Sequence, residues 1–185
     1  MTSSLVGSEM CIRDRILGIE RENRKWYLNS RYDTAFAAAV YAGRYQVRAY
    51  GTYFVFGFSD GRHVREFLKK CDDTNHIVIC EPSVEVFEEC CEQFDVSDIL
   101  EDKRVRFYIP DVTDSIEDIM KKNLQYSDFT FTEFCILPGY DILFHEECEE
   151  FQNLIIERLR DEAVKKGTSL SFQRVIPRNT LYNMK

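Results

Sequence analysis

Two short runs of the chain are apolar without a break, Tyr53-Phe54-Val55-Phe56 and Ile77-Val78-Ile79-Cys80. Continuous rather than alternating hydrophobicity suits parallel strands buried on both faces. Between the runs, Val64, Phe67, Leu68 and Cys71 recur at i, i+3, i+4 and i+7, the spacing of an amphipathic helix. Gly57-Phe58-Ser59-Asp60-Gly61 joins the first run to that helix, and Glu81 follows the second run. The stretch 52–81 therefore predicts strand, glycine turn, helix, strand, acid, which is a βαβ unit.

The same two rhythms continue downstream. An alanine-rich helix is predicted over 34–45, with Ser30 or Asp33 as its cap. Ser83 is a natural N-cap for a helix whose buried stripe reads Val84, Phe87, Cys91 and Phe94, with Cys91 toward the core and Cys90 beside it. Residues 95–102 read as a polar connection with Ile99 and Leu100 tucked in. Strands are expected at 105–109, ending in Pro110-Asp111, and at 130–137, closed by Pro138-Gly139. Helices are expected at 115–124, burying Ile116, Ile119, Met120 and Leu124, and at 144–164, burying Phe144, Cys148, Phe151, Ile155 and Leu159. The predicted fold class is α/β: a Rossmann-like, mostly parallel sheet flanked by helices, occupying 16–167.

The ends read differently. Residues 16–29 are charged and mixed, with Trp26, Tyr27 and Leu28 as their dense apolar group, and they predict no regular element. Residues 1–15 have no sustained period and lack the basic start and apolar centre of a signal peptide. The run 4–15 resembles a translated sequencing-adapter artefact, so 1–15 is expected to be a disordered or artefactual tail. Residues 168–185 contain Pro177, which opposes a continuous helix, and read as the start of a connection to a further module.

Composition narrows the function classes. A net charge of −8 and a pI near 5.0 oppose sequence-independent nucleic-acid binding, which needs clustered Lys and Arg. No apolar run approaches the roughly 20 residues of a membrane span. Seven cysteines without a CxxC pair read as small core hydrophobes in a reducing compartment, hence a cytoplasmic expectation. His63, His76 and His145 lack ligand spacing, so no metal is expected. No G-x-S-x-G is present and no cysteine has a histidine at suggestive spacing, so no catalytic residue is assigned. The paired acids Glu146-Glu147 and Glu149-Glu150 read as the solvated face of the long helix.

The candidate cofactor-binding residues are Gly57, Asp60 and Gly61 of the turn, Glu81 at the tip of the second strand, and Asp111 after the third. Glycines permit close backbone approach, and a helix start offers free N–H groups to a ligand. Glu81 lies 24 residues after Gly57, where an acid could accept hydrogen bonds from ribose hydroxyls. The ligand class would be a nucleotide or nucleotide-sugar. The turn holds two glycines where a dinucleotide fingerprint has three, so glycines that merely make the turn are an equal reading. Asp111 is read first as a turn former or helix cap ahead of 113–125, and second as a ligand contact.

Several motifs in order, Leu28-Asn29-Ser30-Arg31-Tyr32-Asp33, Val55 through Val64, Ile79-Cys80-Glu81-Pro82-Ser83 with the Phe87 helix, and Thr168 through Asn179 with Asn183, resemble the N-terminal domain of the motility accessory factor (Maf) glycosyltransferases, whose catalytic module is similar to 6-hydroxymethylpterin pyrophosphokinase-like domains. The sequence departs from that pattern at Thr34, Ser59, Arg62 and Pro177. The resemblance implies an enzyme that transfers a nonulosonic sugar from an activated nucleotide donor onto flagellin serines or threonines, with its catalytic module beyond Lys185 and flagellin as partner. The alternative is an S-adenosylmethionine-dependent methyltransferase-like domain. Gly57, Gly61, Glu81 and Asp111 suit it. Phe56 stands where such enzymes carry an acid, and Leu137-Pro138-Gly139-Tyr140 lacks the acid of an amine-methyltransferase motif. A third reading is a structural domain that binds a partner through a sheet edge or its long acidic helix.

Overall fold

The computed structural model describes residues 5–10, 15–21, 23–124 and 131–165. The expected connection at 168–185 lies outside them, as does Cys11. The chain runs β1 (Leu5–Met10), β2 (Arg15–Arg21), β3 (Arg24–Tyr27), α1 (Thr34–Gly43), β4 (Thr52–Phe56), α2 (Arg62–Leu68), β5 (His76–Cys80) and α3 (Val84–Gln93). It continues through α4 (Ser97–Leu100), β6 (Val105–Tyr108), α5 (Ile116–Leu124), β7 (Thr132–Ile136), α6 (Tyr140–Leu143) and α7 (His145–Lys165).

The central sheet is four-stranded and parallel throughout, in the order β6-β5-β4-β7. The chain steps outward from β4 through β5 to β6, then returns to add β7 on the other side of β4. That reversal is the topological switch point of an open α/β sheet. The fold is Rossmann-like, as the apolar runs predict. All five β4 residues are buried, because β4 is hydrogen-bonded on both edges and covered on both faces.

Aromatic contacts locate the covering helices. On one face Tyr53 meets Phe67 of α2 edge-on at 5.1 Å, and Tyr45, just beyond α1, packs against the same Phe67. On the other face Phe151 of α7 touches Phe54, Phe56 and Phe134, and stacks on Tyr108 at 5.9 Å. The predicted α7 stripe, Phe144, Cys148, Phe151, Ile155 and Leu159, is buried in full. Ile116, Ile119 and Met120 of α5 are buried too, whereas the Leu124 side chain lies outside the description.

Three features differ from the sequence expectation. First, 5–27 forms a three-stranded antiparallel sheet, β1-β2-β3, with register Leu5↔Glu20 through Met10↔Arg15, where no element was expected. β2 buries Ile16, Leu17 and Ile19 within a frame of charged ends that hides the strand signal. Second, residues 97–100 form the short helix α4; Ile99 is buried as expected, but Leu100 is exposed. Third, α3 is rotated from the expected stripe. Val86 and Cys90 are fully buried and Cys91 is exposed, because α3 is wedged between the central sheet and the β1–β2 layer, and its buried arc follows both. Phe87 still reaches the sheet side, against Phe58 and Phe107.

Candidate functional site

The site grows from the end of β4. Ladder hydrogen bonding continues past the strands: Gly57 N–H donates to the Cys80 carbonyl (2.7 Å), Glu81 N–H to Tyr108 (3.1 Å) and Leu137 N–H to Phe56 (2.9 Å). These bonds hold Gly57, Glu81 and the chain after β7 at one edge. The turn then folds tightly, with Gly57 at φ 97°, Ser59 at 53° and Gly61 at 74°. Gly61 is the N-cap of α2, and its carbonyl accepts from Arg65 N–H. Left-handed backbone at three of five positions is what the two glycines supply, while Ser59 carries a side chain in the same region.

Glu81 faces this turn and is fully buried. Its Oε2 accepts from the Phe58 N–H (2.9 Å), the Ser59 N–H (3.4 Å) and the Tyr140 hydroxyl (2.8 Å), and its Oε1 from the Ser83 N–H (3.2 Å). Ser59 N–H also donates to Tyr140 Oη at 3.0 Å. Burial pushes the Glu81 carboxyl up to about 7 against the pull of these donors. The Tyr140 phenol is held well above its usual range, chiefly by its own burial and then by the carboxylate beside it. The carboxylate is thus bound by the protein's own groups at the tip where a ribose diol would need it.

Tyr140 completes the closure. It opens α6, directly after Gly139 at φ 84° and Leu137, which extends the β7 ladder. A Cβ on Gly57 would lie 2.7 Å from the Tyr140 ring. The ring therefore rests on the glycine itself, in the crevice between the ends of β4 and β7. That crevice is the ligand position of an open α/β sheet.

A second polar layer lies beneath the turn. Ser59 Oγ donates to the Leu28 carbonyl (3.4 Å) and accepts from Asn29 Nδ2 (3.3 Å). Asp60 Oδ1 accepts from Arg62 N–H (3.1 Å), and its Oδ2 stands 3.5 Å from Arg62 Nε. Arg62 reaches on to Thr34 Oγ1. His63 is buried edge-on to Tyr41 at 5.3 Å, and its imidazole is held below the usual range by burial, with Asp60 opposing.

Of the five predicted site residues, Gly57, Asp60, Gly61 and Glu81 are brought together and are all buried. Asp111 is exposed, at φ 63° in the turn after β6, which is the turn-former reading. Ser115, not Asp111, takes the capping place before α5, its Oγ accepting from Asp118 N–H. Sequence reasoning missed Tyr140 as part of the site. Its signal is an aromatic one residue after a glycine at the end of an apolar strand, but only the strand order shows that this strand neighbours β4. Among the described residues, no three His, Cys, Asp or Glu side chains are grouped to hold a metal, and no helix is long and apolar enough to cross a membrane.

No family model matches the chain, and no curated protein matches it. Among solved structures it is similar to spermidine synthase from Thermotoga maritima, at 18% identity and a TM-score of 0.44, over 72% of this chain and 48% of that one. It is also similar to a spermidine synthase in complex with the transition-state analogue AdoDATO, at 19% identity and a TM-score of 0.38, over 56% of this chain and 39% of that one. The chain spans less than half the length of either protein.

Proposed function

We propose that this chain is a non-catalytic Rossmann-like accessory domain of a motility-associated glycosyltransferase that places a nonulosonic sugar on flagellin serines or threonines, in the cytoplasm, with the chemistry carried by another part of that enzyme. The observation that carries the non-catalytic part is the closure of the switch-point crevice by Tyr140 and Glu81. A ligand entering at Gly57 must displace a buried ring and break hydrogen bonds that hold the turn. The family part is supported by the motifs behind the resemblance, three of which meet in one place: Leu28 and Asn29 of the first bond the turn of the second at Ser59, itself a departure from the family pattern, and Glu81 of the third accepts from the Phe58 N–H of the turn.

Two experiments test it. Calorimetric titration of the purified chain with adenosine and cytidine nucleotides and S-adenosylmethionine is expected to give no saturable heat. Flagellin peptides from cells lacking the gene are expected to lose the mass of the sugar; an unchanged glycopeptide pattern would sink the glycosyltransferase reading.

A second reading has its own observation. The order β6-β5-β4-β7, with a glycine turn after β4 and an acid after β5, is also the frame of an S-adenosylmethionine-dependent methyltransferase-like domain. Saturable S-adenosylmethionine binding that Glu81→Ala weakens would put this reading first.

A further inference from the structure

Helix α1 has the sequence TAFAAAVYAG, without a single charged residue. Thr34, Ala38, Tyr41 and Ala42 are buried against the body of the protein. The opposite face is apolar as well. Phe36 is 68% exposed and Val40 40%, four residues apart and so on one stripe, and Tyr32, which precedes the helix, is 77% exposed. Ala35, Ala39 and Gly43 beside the stripe are exposed, and a Cβ on Gly43 would meet nothing within 4 Å. A helix apolar on both sides is ordinarily covered on both.

The residues that cap α1, Asp33 and Arg44, have opposite signs, while the guanidinium of Arg31 lies over the Tyr27 ring. Asp33 stands at the start of the helix and Arg44 at its end, both exposed. Counted from the level of residue 38 at 1.5 Å per residue, Asp33 lies about 7.5 Å to one side and Arg44 about 9 Å to the other. A two-fold axis at that level therefore brings Asp33 of one copy to Arg44 of the other. The same axis sets Phe36 against Val40 of the second copy, since both are two residues from 38. The small flanking residues let two such helices approach closely. Elsewhere acids crowd the exposed faces of α3 and α7, which set like charges against each other in any contact between two copies through those helices.

We infer that the occupant of this face is a second copy of the same chain, paired antiparallel through α1 in an isologous dimer. The hydrophobic stripe supplies the contact, and the Asp33–Arg44 pairs at its two ends fix its direction and register.

Sedimentation equilibrium of the full chain over a concentration series tests this. The expected result is a mass approaching twice 21.9 kDa at the high end. Phe36→Glu alone and Val40→Lys alone are each expected to weaken the dimer at least about tenfold, as truncating a central apolar anchor does. Combining Phe36→Glu with Val40→Lys in one chain sets opposite charges across the axis and is expected to restore association, most strongly at low salt. Both side chains are exposed, so unchanged circular dichroism melts show that each variant is folded. A monomer at every concentration would overturn the inference. So would a dimer indifferent to Phe36→Glu, or a double variant that stays monomeric.

Discussion

A Cβ added at Gly57 would lie 2.7 Å from the Tyr140 ring, whereas one added at Gly139 would meet nothing within 4 Å. Both glycines sit at positive φ, so both carry the backbone cost of a side chain in the left-handed region. Gly139→Ala should cost about 1 kcal/mol for that reason alone. Gly57→Ala must also move a buried ring out of its bonds to Glu81 and Ser59, and should cost about 3 kcal/mol or more. Urea unfolding of the two variants checks the contrast; equal losses would mean that the ring does not rest on Gly57. Glu81 gives a second prediction. Its carboxyl is raised from 4.5 to about 7 by burial, so between those values the folded state holds more protons than the unfolded chain. Stability contributed by this group is greatest at low pH and declines as pH rises toward 7, on the order of 3 kcal/mol in all. His63 and His76, both lowered by burial, act in the opposite direction, losing stability as pH falls below their ordinary 6.5. The comparison that isolates Glu81 is therefore wild type against Glu81→Gln. The wild type should gain on the variant as pH falls from about 8 to about 5. A difference independent of pH would contradict the assignment.

Among the elements, legibility follows the length and purity of the hydrophobic signal. The β4–α2–β5 stretch was readable because two unbroken apolar runs enclose a helix of regular period, and the same is true of α7. The β2–β3 hairpin was not: β3 has four residues, and charged ends surround Ile16, Leu17 and Ile19 in β2. The face of α3 was misread because a helix buried against two layers has a wider buried arc than a single stripe shows. At the site, local spacing was enough to join Gly57, Gly61 and Glu81. Tyr140 lies 59 residues beyond Glu81 and reaches it only through the placement of β7 beside β4. The cap of α3 tests how local the helix signal is. Ser83 Oγ accepts from the Val86 N–H at 3.2 Å, while its own N–H holds Glu81 Oε1. Ser83→Ala removes the first bond and keeps the second. It should cost about 1 kcal/mol and leave the pH response of Glu81 in place. A loss of that response would mean that the cap positions the acid.

At the scale of the whole molecule, the two sheets are tied together unequally. The parallel sheet is continuous with its helices: β4 has both edges paired, and Phe54, Phe56 and Phe134 lock into α7 through Phe151. Among the described residues, the antiparallel β1–β3 sheet pairs only within itself. It joins the body through packing on α3 and a few bonds, including Arg15 to the Gln93 side chain of α3 and Arg21 Nη1 to the Leu143 carbonyl of α6. Regions attached by fewer contacts open at lower free energy than the core they rest on. Amides of β4 and β5 should thus exchange only on global unfolding, and those of β2 and β3 through a separate, cheaper opening. Native-state hydrogen exchange in low denaturant resolves the two. Arg21→Ala should speed exchange in β2 and β3 while leaving β4 unchanged. If β2 and β4 exchange together at every denaturant concentration, the two sheets form one cooperative unit. The hairpin layer would then belong to the core that fixes Asn29 beneath the glycine turn, and mutations in it should reach Ser59 and the Glu81–Tyr140 closure.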